Sequence, residues 1–430
     1  MAEQQFKISK TFLLGFGFLG ISMIWSLYNA YVPVFLKDTF NLPLTAVGGI
    51  MTIDNIFAII LLPFLGALSD RTNTPIGRRR PYILVGAPLA MFFFIMIPYM
   101  NQMQSLLLMM LVIILMNLSM SLYRSPVIAL MPDITPSKYR SQANGIINLM
   151  GGVGALLAFF GSKPLYNMDK TYPFIAGGMV MLFACMMVVL FINEDKSLSL
   201  DNGNTDKVSF KKSFDELMDN LKDVIHGDKS LLFILLSILF WFIGFNSIET
   251  FFTLYAKYYL GIGETSGATI LGYYSLIFML TAIPSGIIGA RIGRRKTIRI
   301  GLTVLMVCLL ASLAGSFFIS KDKTVLIYWS YAAAFMCAGF GWALVNVNSL
   351  PMVVDMTTAE KVGGYTGLYY FFSQAANIAA PPVAGFVLDL STDGGKNSGG
   401  YISLLLFAVA LFFIAFITMS KVRRGEAQDA

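Results

Sequence analysis

The sequence predicts an all-α membrane protein, with twelve transmembrane helices in two pseudo-symmetric six-helix bundles and both termini cytoplasmic. Three observations predict it. Apolar runs long enough to cross lipid recur along the chain, the composition is 56% hydrophobic and 13% charged with a mean hydropathy of +0.70, and the two halves align on each other. A bilayer core of about 30 Å takes roughly 20 apolar residues per helical crossing, and this composition lies outside that of soluble domains.

The runs place spans at 11–36, 44–69, 81–100, 105–130, 141–162 and 172–193, then at 230–257, 266–290, 298–319, 325–349, 363–388 and 400–420. This divides the chain into a bundle at 1–193, a polar linker at 194–228 and a second bundle at 229–430. The first run spans fully and lacks an obvious cleavage site, so it is expected to stay as a helix. Lys and Arg concentrate in the N-terminus, the even-numbered connections, the linker and the C-terminus, which assigns those segments to the cytoplasm. The net charge of +7 is this topology signal rather than a nucleic-acid surface.

Several chemistries lack their parts. Cys185, Cys308 and Cys337 all fall inside spans, give no disulfide framework and read as packing residues. One histidine, His226, cannot build a metal cluster or an intramembrane proton relay, and the Gly394-Gly395-Lys396-Asn397 run lacks the nucleotide-binding pattern. The chain therefore reads as a non-enzyme with no cofactor and no metal.

A shift of 220 pairs Lys37 with Lys257, Thr45 with Thr265 and Gly66 with Gly286; a shift of 222 pairs Asp133 with Asp355, Thr135 with Thr357 and Gly145 with Gly367. Matches that keep order and membrane level indicate duplication, and parallel repeats imply a central cavity.

The second span runs into Gly66-Ala67-Leu68-Ser69-Asp70-Arg71 and then Gly77-Arg78-Arg79-Arg80-Pro81; the eighth runs into Gly286 through Ala290-Arg291-Ile292-Gly293-Arg294-Arg295-Lys296. The glycines allow close approach and a tight turn, while Asp70 can cap a helix or pair with arginines. The expected conformational gate is Gly66, Asp70, Arg71, Gly77, Arg78, Arg79, Asp133 and Arg140, with Gly286, Arg291, Gly293, Arg294 and Asp355 in the second copy. Ala290 stands where the second acid belongs, so the second latch is expected to be the weaker.

This loop pattern resembles the signature of the major facilitator superfamily. The long form from Ser69 to Ile83, with Tyr123-Arg124-Ser125-Pro126 and Asn144-Gly145 further on, is similar to the sucrose-transporter branch and, more broadly, to the glycoside-pentoside-hexuronide cation symporters. The resemblance covers nearly the whole chain and implies sugar or glycoside uptake with a cation, usually a proton in the sucrose branch. Melibiose-type carriers place two acids in the second helix where this chain has Ala58 and Leu62, so the resemblance does not supply their sodium site.

Buried polarity marks the candidate site, because an ionisable group in lipid is costly unless paired or watered. Asp54 and Glu249 lie about 15 Å below the outer surface of their spans, where a carboxyl could load a proton or stay charged beside a cation. Arg124 offers a planar donor fork, either for substrate or for Asp133 at the helix ends, and its level differs from that of Asp54 by about 10 Å. Amides bond hydroxyls and flat rings pack on sugar faces, which selects Trp25, Tyr28, Asn29, Asn144, Asn148, Asn246, Trp342, Asn346, Tyr370, Gln374 and Asn377. Helix packing and an interfacial belt account for many of the rings equally well.

Gly151, Gly152 and Gly154, with Ala375, Ala376, Ala379 and Ala380, permit tight helix contacts, either sliding or static. Phe214, Leu217, Met218, Leu221, Val224 and Ile225 recur at helical spacing and predict an interfacial helix in the linker. The expectation is a monomeric, multi-pass cell-membrane protein embedded in the lipid bilayer that takes up a small sugar with protons, or with sodium as the alternative ion. Two rivals are an exporter of amphipathic compounds, against which the proline-free 141–162 span speaks, and a membrane receptor, against which the short termini speak.

Overall fold

The computed structural model describes residues 8–135, 139–192, 229–319, 322–356, 362–394 and 397–426. Among the described residues, twelve helices are long and apolar enough to cross a membrane: α1 Ile8–Asp38, α2 Leu44–Arg71, α3 Arg80–Gln102, α4 Leu106–Ile134, α5 Arg140–Met168, α6 Tyr172–Phe191, α7 Lys229–Tyr258, α8 Glu264–Ile292, α9 Arg294–Phe318, α10 Thr324–Val354, α11 Val362–Thr392 and α12 Ser403–Ser420. A 3-10 turn, Ser398–Ile402, leads into α12. No strand occurs among the described residues. In hydrocarbon every backbone N–H and C=O must be satisfied within the protein, and helices do this locally.

The expected spans reappear, with two instructive extensions. α5 continues through Lys163 and Pro164 to Met168, and α10 continues past Asn346 and Pro351 to Val354. In both, the helix runs on past the apolar stretch that marks the expected span, through a proline. The proposed linker helix at 214–225, and His226 beside it, lie outside the described residues.

The helices form two compact units. One comprises Met1–Asn41 and Ile53–Thr205, the other Leu42–Thr52 and Asp206–Ala430. In the first, α1 packs on α5 and α6, α3 on α4 and α6, and α2 on α4. In the second, α7 packs on α11 and α12, α9 on α10 and α12, and α8 on α10. Each pairing in one unit has its counterpart six helices later in the other, the spatial form of the sequence repeat.

Small residues make the closest crossings. A Cβ on Gly154 of α5 would fall on the Leu19 carbonyl of α1. The core of the first unit is aromatic: Tyr31 stacks on Tyr166 at 4.5 Å and its hydroxyl donates to Ser162 Oγ at 2.7 Å, and Phe174 packs on Phe35 and Phe94. In the second unit the Tyr255 and Tyr331 hydroxyls meet at 2.6 Å. The three cysteines are free thiols; Cys185 is buried as packing requires, Cys308 is half-buried, and Cys337 is exposed on α10 rather than packed.

Candidate functional site

Each unit carries its own polar cluster within the membrane-spanning helices. In the first unit, Asp54 follows a short interruption of α2 at Thr52, between segments Leu44–Met51 and Ile53–Arg71. Its Oδ1 accepts from the Asn55 amide at 2.9 Å. It interacts electrostatically with the Arg124 guanidinium of α4 and with the fully buried Tyr28 of α1. Trp25 packs edge-on against Tyr28 at 5.6 Å, and its indole N–H is buried with no hydrogen-bond partner among the described residues. Three helices thus bring an acid, a permanent cation and two rings to one place. The Arg124 guanidinium feels the Asp54 charge, but no ion pair or hydrogen bond joins the two, in keeping with the axial offset expected between them. Nor does Arg124 tie itself to Asp133, whose carboxylate is taken by Arg78 and Arg79.

The cluster of the second unit is mostly neutral. The Asn246 amide of α7 donates to Asn377 Oδ1 of α11 at 2.8 Å, and the Asn377 amide donates to Gln374 Oε1 at 2.8 Å. Asn246 also donates to the Phe242 carbonyl at 2.7 Å, which fixes its rotamer. Alongside, Trp342 of α10 lies flat on Phe245 at 4.3 Å and 11°, with Phe242 edge-on at 5.5 Å. Phe245 stacks in turn against Tyr274 of α8 at 5.8 Å, and Tyr274 interacts with Glu249. The Tyr274 hydroxyl is buried without a hydrogen-bond partner among the described residues. An amide chain bordered by a flat aromatic face can bond hydroxyl groups and pack on apolar C–H surface together.

Of the candidates read from the sequence, Trp25, Tyr28, Asp54 and Arg124 come together, as do Asn246, Glu249, Trp342, Gln374 and Asn377. Asn29, Asn144, Asn148 and Asn346 join neither cluster by a side-chain hydrogen bond; Asn144 and Asn148 are exposed along α5. Tyr370 is 53% exposed and packs edge-on against Tyr369. Phe242, Phe245 and Tyr274 were not among the candidates. The 220-residue shift could have found two of them, since it pairs Trp25 with Phe245 and Asp54 with Tyr274.

The loop motifs occupy one face of each unit. In the first, the buried Arg79 guanidinium donates to Ser69 Oγ at 2.9 Å and Asp70 Oδ1 at 2.7 Å of α2, and to Asp133 of α4, which Arg78 also reaches at 3.1 Å. Gly77 turns the loop at φ 118°, a value open to glycine, while Arg71 is exposed and makes no part of this knot. A Cβ at Gly66 would reach only ordinary contact with Ser125. The side chain of Arg140 lies outside the described residues.

In the second unit the expected weakness at Ala290 is offset from two directions. Arg294 pairs with Asp355 of α10. The C-terminal tail folds back so that Glu426 accepts from the backbone N–H of Arg294 at 2.6 Å and of Arg295 at 3.3 Å. A carboxylate there satisfies orphan donors and complements the positive end of α9. Gly293, at φ +91°, makes room for it. Arg291 is exposed and Gly286 lies against Val347.

Comparison with known proteins agrees with this architecture. The profile described as Major Facilitator Superfamily matches residues 14–381 and 257–428. The uncharacterized symporter YnaJ of Bacillus subtilis (strain 168) is 24% identical over 465 residues, covering 99% of this chain and 94% of its own. The isoprimeverose transporter of Lactiplantibacillus pentosus is 23% identical over 310 residues, 69% of this chain and 62% of its own. The crystal structure of the nucleoside transporter NupG superposes with a TM-score of 0.70 over 96% of this chain and 99% of its own at 15% identity, a likeness of fold alone.

Proposed function

The chain belongs to the Major Facilitator Superfamily, and from that premise we propose that this multi-pass membrane transporter is a proton-coupled importer of a glucoside or small oligosaccharide, working by alternating access. The observation that carries the sugar reading is the Asn246–Asn377–Gln374 amide chain beside the flat Trp342–Phe245 pair. Hydroxyl-rich, net-neutral solutes need several donors and acceptors at once and a flat surface for their C–H faces. The isoprimeverose transporter among the relatives supports a sugar.

Coupling is assigned to Asp54 and Glu249. A carboxyl at membrane depth is costly as an anion unless a partner or water compensates it. Asp54 lies in the field of the Arg124 charge, so taking up a proton removes that attraction and releasing the proton restores it. Glu249 beside Tyr274 gives the second unit a carboxyl of its own, with a hydroxyl positioned to follow its charge. Protonation together with sugar binding then favours the form that opens to the cytoplasm, the side on which the Lys and Arg distribution puts both termini.

Uptake of radiolabelled sucrose, maltose, melibiose and other glycosides into reconstituted vesicles, with and without an imposed proton gradient, tests the reading. Gradient-driven accumulation of at least one glycoside is expected. Failure to accumulate any of them, with sodium also supplied, would overturn the sugar assignment and put export of amphipathic compounds in its place.

A further inference from the structure

Two of the free thiols, Cys308 and Cys337, belong to the second unit and sit on consecutive helices. α9 and α10 follow one another along the chain and so run in opposite senses. Glycines bring them into backbone contact. A Cβ on Gly301 of α9 would fall on the Gly341 carbonyl of α10 and against Leu344, and one on Gly341 would press on Val304. These contacts fix the register, with Val304 facing Gly341 and Gly301 facing Leu344. One helical turn away, counted forward from Val304 and back from Gly341, the same register puts Cys308 opposite Cys337. The two side chains interact accordingly, as electrostatic and hydrogen-bonding partners. A disulfide requires Cα atoms about 4.4–6.8 Å apart, and a glycine crossing one turn away favours such an approach.

The surroundings select the chemistry. Neither α9 beyond Arg299 nor any part of α10 carries a charged residue or a histidine. Holding a metal ion would need both sulfurs deprotonated, which a charge-free stretch in hydrocarbon opposes. A disulfide is neutral. Cys337 is exposed and Cys308 half-buried, and the exposed residues beside them are apolar: Leu326 and Trp329 on α10, Val307 and Leu310 on α9. Within a membrane-spanning segment such a face meets lipid, so a reagent for this pair must dissolve in the bilayer. Cys185 differs on each count, being in the first unit, buried, and donating to the Ile83 carbonyl at 3.6 Å.

We propose that Cys308 and Cys337 form a redox-modification site, a dithiol that closes to an intramolecular disulfide by reducing a quinone dissolved in the bilayer. Two S–H bonds break and one S–S bond forms. The two protons and two electrons pass to the quinone, whose two carbonyl groups become the hydroxyls of the quinol. A quinone suits the site because oxidant and product are both neutral and lipid-soluble, and no ion or water is released into hydrocarbon. The bond pins α10, the helix that lays Trp342 on Phe245, against α9.

The test uses the full chain with its native cysteines, in phosphatidylcholine vesicles with and without decylubiquinone. After incubation the protein is denatured, alkylated with a maleimide and weighed by mass spectrometry. Free thiols are expected to fall from three to one in the quinone vesicles, with Cys185 the one alkylated and a linked Cys308–Cys337 peptide in the digest. Dithiothreitol should restore all three. Cys308→Ala and Cys337→Ala, treated alike, are expected to keep both remaining thiols. Three free thiols after quinone treatment, or thiol loss in the single variants of the kind that arylation or cross-linking between copies gives, would overturn the proposal. Neither a sugar nor a proton gradient enters the measurement, so it stands whether or not a glycoside is transported.

Discussion

The two units share a helix plan but not a polar chemistry. In the first, α1, α2 and α4 gather Tyr28, Asp54 and Arg124, an acid against a permanent cation. In the second, the corresponding level holds linked amides and stacked rings, with Glu249 beside Tyr274. The substitutions behind this divergence are visible at equivalent positions: Asp54 matches Tyr274, Asn29 matches Glu249 and Trp25 matches Phe245 under the 220-residue shift. Duplication supplied one scaffold twice, and the two copies then diverged, the first toward a charged cluster and the second toward a mostly neutral one.

That contrast predicts unequal consequences of mutation. Asp54→Asn carries the largest effect: uphill accumulation is abolished, a loss of about 100-fold or more as expected for an essential proton carrier, while downhill exchange persists. Counterflow in preloaded vesicles separates the two. Glu249→Gln, measured in the same way, sharpens the comparison by showing whether the second unit also couples; unchanged accumulation there with loss at Asp54 would place coupling wholly in the first.

The loop motifs repeat the contrast on a structural scale. Arg79 is buried against Ser69, Asp70 and Asp133, whereas the second copy relies on the Arg294–Asp355 pair and on Glu426 from the tail. Arg79→Lys keeps the charge but gathers its donors on one nitrogen, where Arg79 reaches Asp133, Ser69 and Asp70 from three. It should destabilise by about 2 kcal/mol, the cost of leaving hydrogen-bonding groups of the knot unsatisfied, read as a lowered midpoint of thermal unfolding in detergent.

Smaller changes belong to the amide chain. Asn377→Ala removes both side-chain bonds and leaves Asn246 and Gln374 each short of a partner. The expected result is a KM for the preferred glycoside about tenfold higher, from roughly 1.5 kcal/mol of unsatisfied polar surface, with the proton gradient still usable. The mildest effect is Glu426→Gln, which keeps an acceptor at the start of α9 but loses its charge. It should cost about 0.5 kcal/mol, on the low side for a cap; a loss as large as that of Arg79→Lys would mean that the second latch is not the weaker one.

Hydropathy made the spans legible to within a few residues, because lipid leaves the backbone few options. The deep ionisable groups were legible for the same reason, since Asp54, Arg124 and Glu249 are conspicuous in apolar runs. The aromatic neighbours were not: in a chain with 14% aromatic residues, nothing local separates Phe245 or Tyr274 from ordinary packing rings. Contacts through backbone groups were the least legible. Asp389 meets Leu44 and Thr45 across most of the chain, and Glu426 reaches back to Arg294 from beyond the last span. In both cases the donor is a main-chain N–H, which no residue pattern announces.

The measurement that bears most directly on the account is internal pH in vesicles holding the intact protein, followed as glycosides are added outside. Sugar-dependent acidification that disappears in Asp54→Asn is the predicted result. Accumulation of a glycoside with no proton entry in the intact protein, or proton entry that survives Asp54→Asn unchanged, would contradict it.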